Sequence, residues 1–170
     1  MSATIVAAVD DSPASLQAAR LLAGYRGDAR QLGIVALNVQ TRPLALWPRP
    51  GVDPARIESA LLAQGARHLE PACKLLAEAG LEPVKVVRVG VPADCIADEA
   101  MRRGATAIVM GTRGKGAVGG FAVGSVALRV AHRAQTPVVL VQPDTRLPAA
   151  LGERVRVLVP LDGSAQATRA

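Results

Sequence analysis

Short continuous apolar runs alternate along this chain with stretches whose apolar residues recur at helical spacing. The first run, Thr4-Ile-Val-Ala-Ala-Val9, stops at Asp10-Asp11-Ser12-Pro13. That order predicts a strand buried on both faces, then a cap and a proline at the first position of a helix. Leu16, Ala19, Leu21, Leu22 and Ala23 carry the helix, which is expected to stop between Gly24 and Gly27. Gly33 to Val39 reads as a second buried strand. Residues 40–52, with Pro43, Trp47, Pro48, Pro50 and Gly51, read as a loop beyond its carboxyl end. Asp53-Pro54 then caps a long helix carrying Ile57, Leu61, Leu62, Leu69, Leu75 and Leu76. Pro71 is expected to kink or divide that helix, and Gly80 to end it.

Pro83 to Val89 alternates and carries Lys85 and Arg88, which suits a less buried strand at a sheet edge. Gly90-Val-Pro92-Ala-Asp94 opens a third helix, running through Ile96 and Ala100 to Arg103-Gly104. Ala105 to Met110 is a fourth buried strand that leads into a glycine-rich loop. A helix from about Val123 to Arg133 precedes a fifth strand, Pro137 to Val141. This alternation calls for an α/β fold, a doubly wound parallel sheet with right-handed crossovers and helices on both faces. Ligands of such sheets sit beyond the carboxyl ends of the strands. Asp10, Val39 and Gly111 fall at those ends.

Composition narrows the class. Of 170 residues half are apolar, yet only Tyr25, Trp47 and Phe121 are aromatic. The core must be Ala, Val, Leu and Ile, and so few rings make a poor stacking surface for single-stranded nucleic acid. The net charge is +6, but the arginines are scattered, and the pairs Arg102-Arg103 and Arg154/Arg156 are too short for a nucleic-acid arm. No apolar run approaches the roughly 18 residues of a membrane span. Cys73 and Cys95 lack paired spacing, and no secretory signal opens the chain. A cytoplasmic protein with reduced, structural thiols is expected, with neither nucleic acid nor membrane as a partner.

The glycine loop is the richest chemistry. Gly111-Thr-Arg-Gly114-Lys-Gly-Ala-Val-Gly-Gly-Phe-Ala-Val-Gly124-Ser125-Val126 follows the fourth strand and opens a helix. Such turns let backbone N–H groups and a helix dipole converge on an anion, and Arg113 and Lys115 add positive charge. Charge-assisted hydrogen bonds are worth roughly 1.5–3 kcal/mol each. Three or four of them, with a buried purine face, reach about −8 kcal/mol, which is micromolar binding. The P-loop pattern fails here, because neither Gly116 nor Gly119 is followed by lysine. Gly114-Lys-Gly116-Ala-Val-Gly119 matches GxGxxG, but after the wrong strand and without an acidic residue about 20 positions on.

A longer spacing fits throughout. Gly-x2-Gly-x9-Gly-Ser describes Gly111, Gly114, Gly124 and Ser125, and with Val9-Asp10-x-Ser12 and Gly90-x-Pro92 the region resembles the ATP-binding branch of the universal stress protein family. The resemblance implies strand order 3-2-1-4-5, as in the adenine-nucleotide alpha-hydrolase-like folds, and a domain over residues 1–142. It implies that Ala8, Val9 and Asp10 lie under adenine and ribose, with Asp10 accepting ribose hydroxyls, and that Val39 touches the base. Met110 and Gly111 would flank ribose and phosphates, and Gly114, Gly124, Ser125 and Val126 would hold the phosphates. Ser125 would serve as a phosphate donor or a helix N-cap. The ligand is expected to be ATP, with ADP or AMP as alternatives and Mg²⁺ as an optional companion. A homodimer through the strand-five edge is expected on the same likeness. The family often has Pro where Ala8 stands and Gly where Asp11 stands.

Val157-Leu-Val-Pro-Leu-Asp162-Gly-Ser164 repeats the first strand and its Asp-x-Ser ending. Residues 154–170 therefore read as the first strand of an incomplete second repeat, behind a linker over residues 143–153. In that tandem reading the second repeat takes over the dimer partner's role. His68 and His132 lack metal-ligand spacing, and Ser12 reads as a cap, so neither a catalytic nor a metal set is assigned. Three functions stay open: a stress-responsive ATP-binding protein, an enzyme using or slowly hydrolysing an adenine nucleotide, and a partner-binding module without ligand.

Overall fold

The computed structural model describes residues 3–25, 27–42, 53–112 and 123–145. Five strands, β1 (Ala3–Ala8), β2 (Leu32–Gln40), β3 (Val84–Val89), β4 (Ala107–Gly111) and β5 (Val138–Val141), pair in parallel in the order β3-β2-β1-β4-β5. The expected topology is found, with the alternating, more exposed strand at one edge. Helices α1 (Pro13–Ala23) and α2 (Pro54–Glu78) cover one face through Ala18, Leu22, Leu69, Ala72 and Leu76. Helices α3 (Pro92–Arg102) and α4 (Ser125–Arg133) cover the other through Ile96, Ala100, Ala127 and Val130. A short 3₁₀ turn, Ala29–Gln31, leads into β2.

Local chemistry places the helix ends. Ser12 caps α1, its hydroxyl accepting the Ser15 N–H at 3.2 Å, and Pro13 follows as the first helical residue. Asp53 does the same for α2, accepting the Ala55 N–H at 2.9 Å. At the far end of α2, Gly80 takes φ +78°, and the Leu81 N–H returns to the Leu76 carbonyl at 3.0 Å. That is a Schellman ending, which a side chain at Gly80 would strain.

Pro71 does not divide α2, which runs unbroken through it. Of the two expected effects, kink or division, division is thereby corrected. Pro71 and Arg67, the residue whose carbonyl loses its partner, are both exposed. Water can replace the missing N–H there, and the buried residues Leu69, Ala72, Cys73 and Leu76 on the other side hold the helix to the sheet.

One charged group ties α3 to the edge strand. The Glu99 side chain is 2 % exposed and accepts from Arg88 on β3 at 3.0 Å, from Arg103 at 2.9 Å, and from Arg102. Burial pushes its pKa up, but hydrogen bonds from Arg88, Arg103 and Arg102 outweigh this and hold the carboxyl at about 2 against an ordinary 4.5. At the other end of the same face, Arg133 on α4 reaches Asp94 on α3 at 3.2 Å. These contacts tie α3 to β3 at one end and to the carboxyl end of α4 at the other.

Candidate functional site

The carboxyl ends of β1, β2 and β4 open into a cavity of about 430 Å³, a size that suits a small-molecule ligand. Its floor is set by register: Ala8 pairs with Leu37 on one side and with Met110 on the other, and all three line the cavity. Val39 near the end of β2 and Thr41 just past it extend the wall, Pro92 and Ile96 come from α3, and Gly124 to Ala127 come from the start of α4. One side is thus apolar and the other is built from backbone and hydroxyl groups.

Asp10 stands at the rim, where β1 turns into α1. One of its carboxylate oxygens accepts the Ser12 N–H at 3.1 Å, which leaves the second oxygen as the acceptor for a ligand. The next residue, Asp11, has φ +63°. Left-handed backbone favours glycine and tolerates aspartate better than most side chains.

Gly111 ends β4 where α1 comes closest. A Cβ on Gly111 would lie 2.7 Å from the Ala14 Cβ and 2.8 Å from the Ser15 backbone nitrogen. The glycine is therefore a packing requirement of the α1 amino end as well as part of the cavity wall.

Thr112 is the group that sequence reasoning missed. Its N–H donates to the Val141 carbonyl at 2.9 Å, and its carbonyl accepts the Gly124 N–H at 2.7 Å. Both backbone groups are thus pinned, and the residue is 7 % exposed and lines the cavity. Among the described residues its hydroxyl has no hydrogen-bond partner. A buried hydroxyl left in that state carries a desolvation penalty of about 1–3 kcal/mol, so a native structure keeps one for a reason.

Beside it, α4 begins without a side-chain cap. Gly124 occupies the N-cap position and the first internal bond is from Leu128 to Gly124, at 3.0 Å. α3, on the same face, has no side-chain cap either, whereas α1 and α2 both do. Uncapped amino ends present N–H groups and the positive end of the helix dipole. An orphan hydroxyl and an uncapped helix end, together in one cavity, form a socket for an anionic group.

The sequence profile of the universal stress protein family matches residues 1–142. The chain belongs to the universal stress protein family. It is 33 % identical over 140 residues to universal stress protein MJ0531 of Methanocaldococcus jannaschii, covering 81 % of each chain. It is 30 % identical over 160 residues to a universal stress protein of Mycolicibacterium smegmatis, where the match takes in 91 % of this chain and 52 % of the relative, so the chain spans about half that relative's length. Among solved structures, the universal stress protein of Archaeoglobus fulgidus in complex with dAMP is 27 % identical, with a TM-score of 0.52, over 83 % of this chain and 98 % of that one.

Within this family member the structure brings together Ala8, Val9, Asp10, Val39, Met110, Gly111, Gly124, Ser125 and Val126 around one cavity. Arg113, Gly114 and Lys115 lie outside the described residues, as do Trp47 and residues 154–170. Ser125 is the first residue of α4, and the N-cap is Gly124, which leaves the exposed Ser125 hydroxyl for other partners. Among the described residues, no helix is long and apolar enough to cross a membrane and no group of three or more His, Cys, Asp or Glu could hold a metal ion. Burial is the main cause that raises the Cys73 and Cys95 pKa values, so both thiols stay protonated and weakly nucleophilic.

Proposed function

We propose that this protein binds ATP in the cavity and that occupancy acts as a conformational or partner-selecting signal in a stress response. The observation that carries the reading is the buried Thr112 hydroxyl, without a partner among the described residues, standing beside the uncapped amino end of α4. A phosphate there takes a hydrogen bond from Thr112, from the first N–H groups of α4 and from Ser125. The base packs on Leu37, Val39 and Ile96, and the free edge of Asp10 accepts the ribose hydroxyls. Arg113, Gly114 and Lys115 complete the phosphate cradle in this reading. The dAMP complex of the Archaeoglobus fulgidus relative supports an adenine nucleotide as the ligand class. Mg²⁺ would arrive on the phosphates, and no rapid hydrolysis is assigned to the site.

The test uses an isosteric change. In Thr112→Val the hydroxyl is lost and the shape kept, so the free protein is expected to gain about 1 kcal/mol of stability, because the orphan group is gone. The same change is expected to weaken ATP about tenfold, the loss of one hydrogen bond to a charged group. Thermal unfolding and calorimetric titration read the two effects. Unchanged ATP affinity would remove Thr112 from the phosphate site.

The remaining elements of the proposal are architectural. The edge of β5, where Val139 is 40 % exposed, is the proposed homodimer contact in the cytoplasm. Residues 154–170 are proposed as the opening strand of a second repeat, in keeping with the match to about half of the Mycolicibacterium smegmatis relative.

A further inference from the structure

Under the cavity, on the face covered by α1 and α2, polar groups form a line from α2 to the end of β1. Asn38 is 2 % exposed, and its amide nitrogen donates to the Val9 carbonyl at 2.7 Å. Its carbonyl oxygen accepts from Gln40 Nε2 at 2.7 Å. The same Gln40 nitrogen lies 3.1 Å from His68 Nδ1.

The direction of this chain follows from its fixed end. A backbone carbonyl can only accept, so Asn38 must turn its NH₂ to Val9 and its oxygen to Gln40. Gln40 must then present its own NH₂, whose second hydrogen falls to His68 Nδ1. In this arrangement His68 Nδ1 is the acceptor. Room for the chain comes from Gly65 on α2, where a Cβ would lie 2.8 Å from Asn38 Oδ1 and 2.3 Å from Val87 Cγ1.

What the chain grips is the last peptide before Asp10. Pairing of β1 with β2 in register ends at Ala8 and Leu37, and the Val9 N–H still donates to the Leu37 carbonyl at 2.8 Å. The Val9 carbonyl, one bond from Asp10, is taken by the Asn38 side chain. Beyond it the backbone turns through the left-handed Asp11. We infer that Asn38 is a positioning residue for the cavity: through a one-way hydrogen-bond chain from His68 and Gln40 it holds the peptide joining Val9 to Asp10, and so aims the Asp10 carboxylate. The inference rests on the nucleotide reading only for the identity of the bound molecule, because the chain and the turn belong to the free protein.

Amide hydrogen exchange on the ¹⁵N-labelled free protein, followed by ATP titration, tests it. In Asn38→Leu the Ser12 amide, which bonds the Asp10 carboxylate, is expected to exchange at least about tenfold faster, the equivalent of one lost hydrogen bond. Amides of β4 and α3 are expected to keep their rates. Gln40→Leu, at a half-buried position, should produce a smaller acceleration at the same amide and keeps the test open if Asn38→Leu does not fold. ATP should bind Asn38→Leu about tenfold more weakly than the parent. Imidazole ¹⁵N shifts of the parent should report His68 with Nδ1 unprotonated. An unchanged Ser12 amide, an equal acceleration of all amides, or a His68 protonated on Nδ1 overturns the inference. If the Ser12 amide responds while the parent protein ignores ATP, the positioning role stands and the nucleotide reading falls.

Discussion

Gly111→Val is expected to lower the thermal unfolding midpoint by about 10 °C, which for a domain of this size corresponds to about 3 kcal/mol. The first atom of the new side chain would stand 2.7 Å from the Ala14 Cβ and 2.8 Å from the Ala14 carbonyl carbon and the Ser15 nitrogen. Two of those three are backbone, so no rotamer change relieves the contact. Either α1 moves away from β4 or β4 bends. Ala14, Ser15 and Ala18 are buried along that seam, and displacing them also disturbs the Ser12 cap and the turn that carries Asp10. Gly33→Ala is the control, because its nearest new contact is at 3.7 Å and ordinary packing absorbs it. Differential scanning calorimetry of the two variants checks the claim; equal midpoints would mean that α1 and β4 do not depend on their close approach.

The second large effect is electrostatic and depends on pH. The folded Glu99 carboxyl is held at about 2, against 4.5 in a free chain. A depressed folded value means that the group contributes stability above the unfolded pKa and loses it as pH falls toward the folded one. The Glu99 contribution should therefore be fully present above about pH 5 and should fade between pH 4.5 and about 2. Arg88 and Arg102 are about half exposed, so solvent screens the pairing, and a contribution of about 2 kcal/mol is expected at neutral pH. Urea unfolding of the parent and of Glu99→Gln, repeated from neutral pH into acid, should give a difference that shrinks through that window. A difference independent of pH would show that the three arginines do not act through the charge of Glu99.

The elements that periodicity and punctuation describe are the ones the structure contains. The apolar run to Val9, its Ser12-Pro13 ending, and the Asp53-Pro54 and Gly80 boundaries of α2 rest on contacts within a few residues, so they are legible in one dimension. The same holds for the charged, alternating edge strand β3. Pro71 was misleading because its cost depends on whether water reaches the Arg67 carbonyl, and that depends on which side of α2 faces the sheet. Asp10, Val39 and Gly111 could be placed together because strand ends converge in a doubly wound sheet, and Gly124 and Ser125 because the glycine loop leads to them and the family resemblance assigns them to it. Thr112 could not. It is an unremarkable residue between Gly111 and Arg113, and only the folded chain shows that its backbone is pinned by Val141 and Gly124 while its hydroxyl is left without a partner among the described residues. Glu99 and Asn38 were invisible for a related reason: their partners, Arg88 on β3 and the Val9 carbonyl, are 11 and 29 residues away.

The cavity, the family and the orphan hydroxyl converge on one claim, that an adenine nucleotide sits across the ends of β1, β2 and β4 with its phosphates on α4. The most direct measurement follows backbone amides of the ¹⁵N-labelled protein while ATP is added. Signals of Val9, Val39, Thr112, Gly124 and Val126, which come from separate elements of the chain but border one cavity, should move together along a single binding curve. Signals of α2 and the Glu99 cluster should stay in place. If the cavity amides do not move at saturating ATP, or if the amides that move lie elsewhere on the protein, the assignment of this site to a nucleotide is wrong.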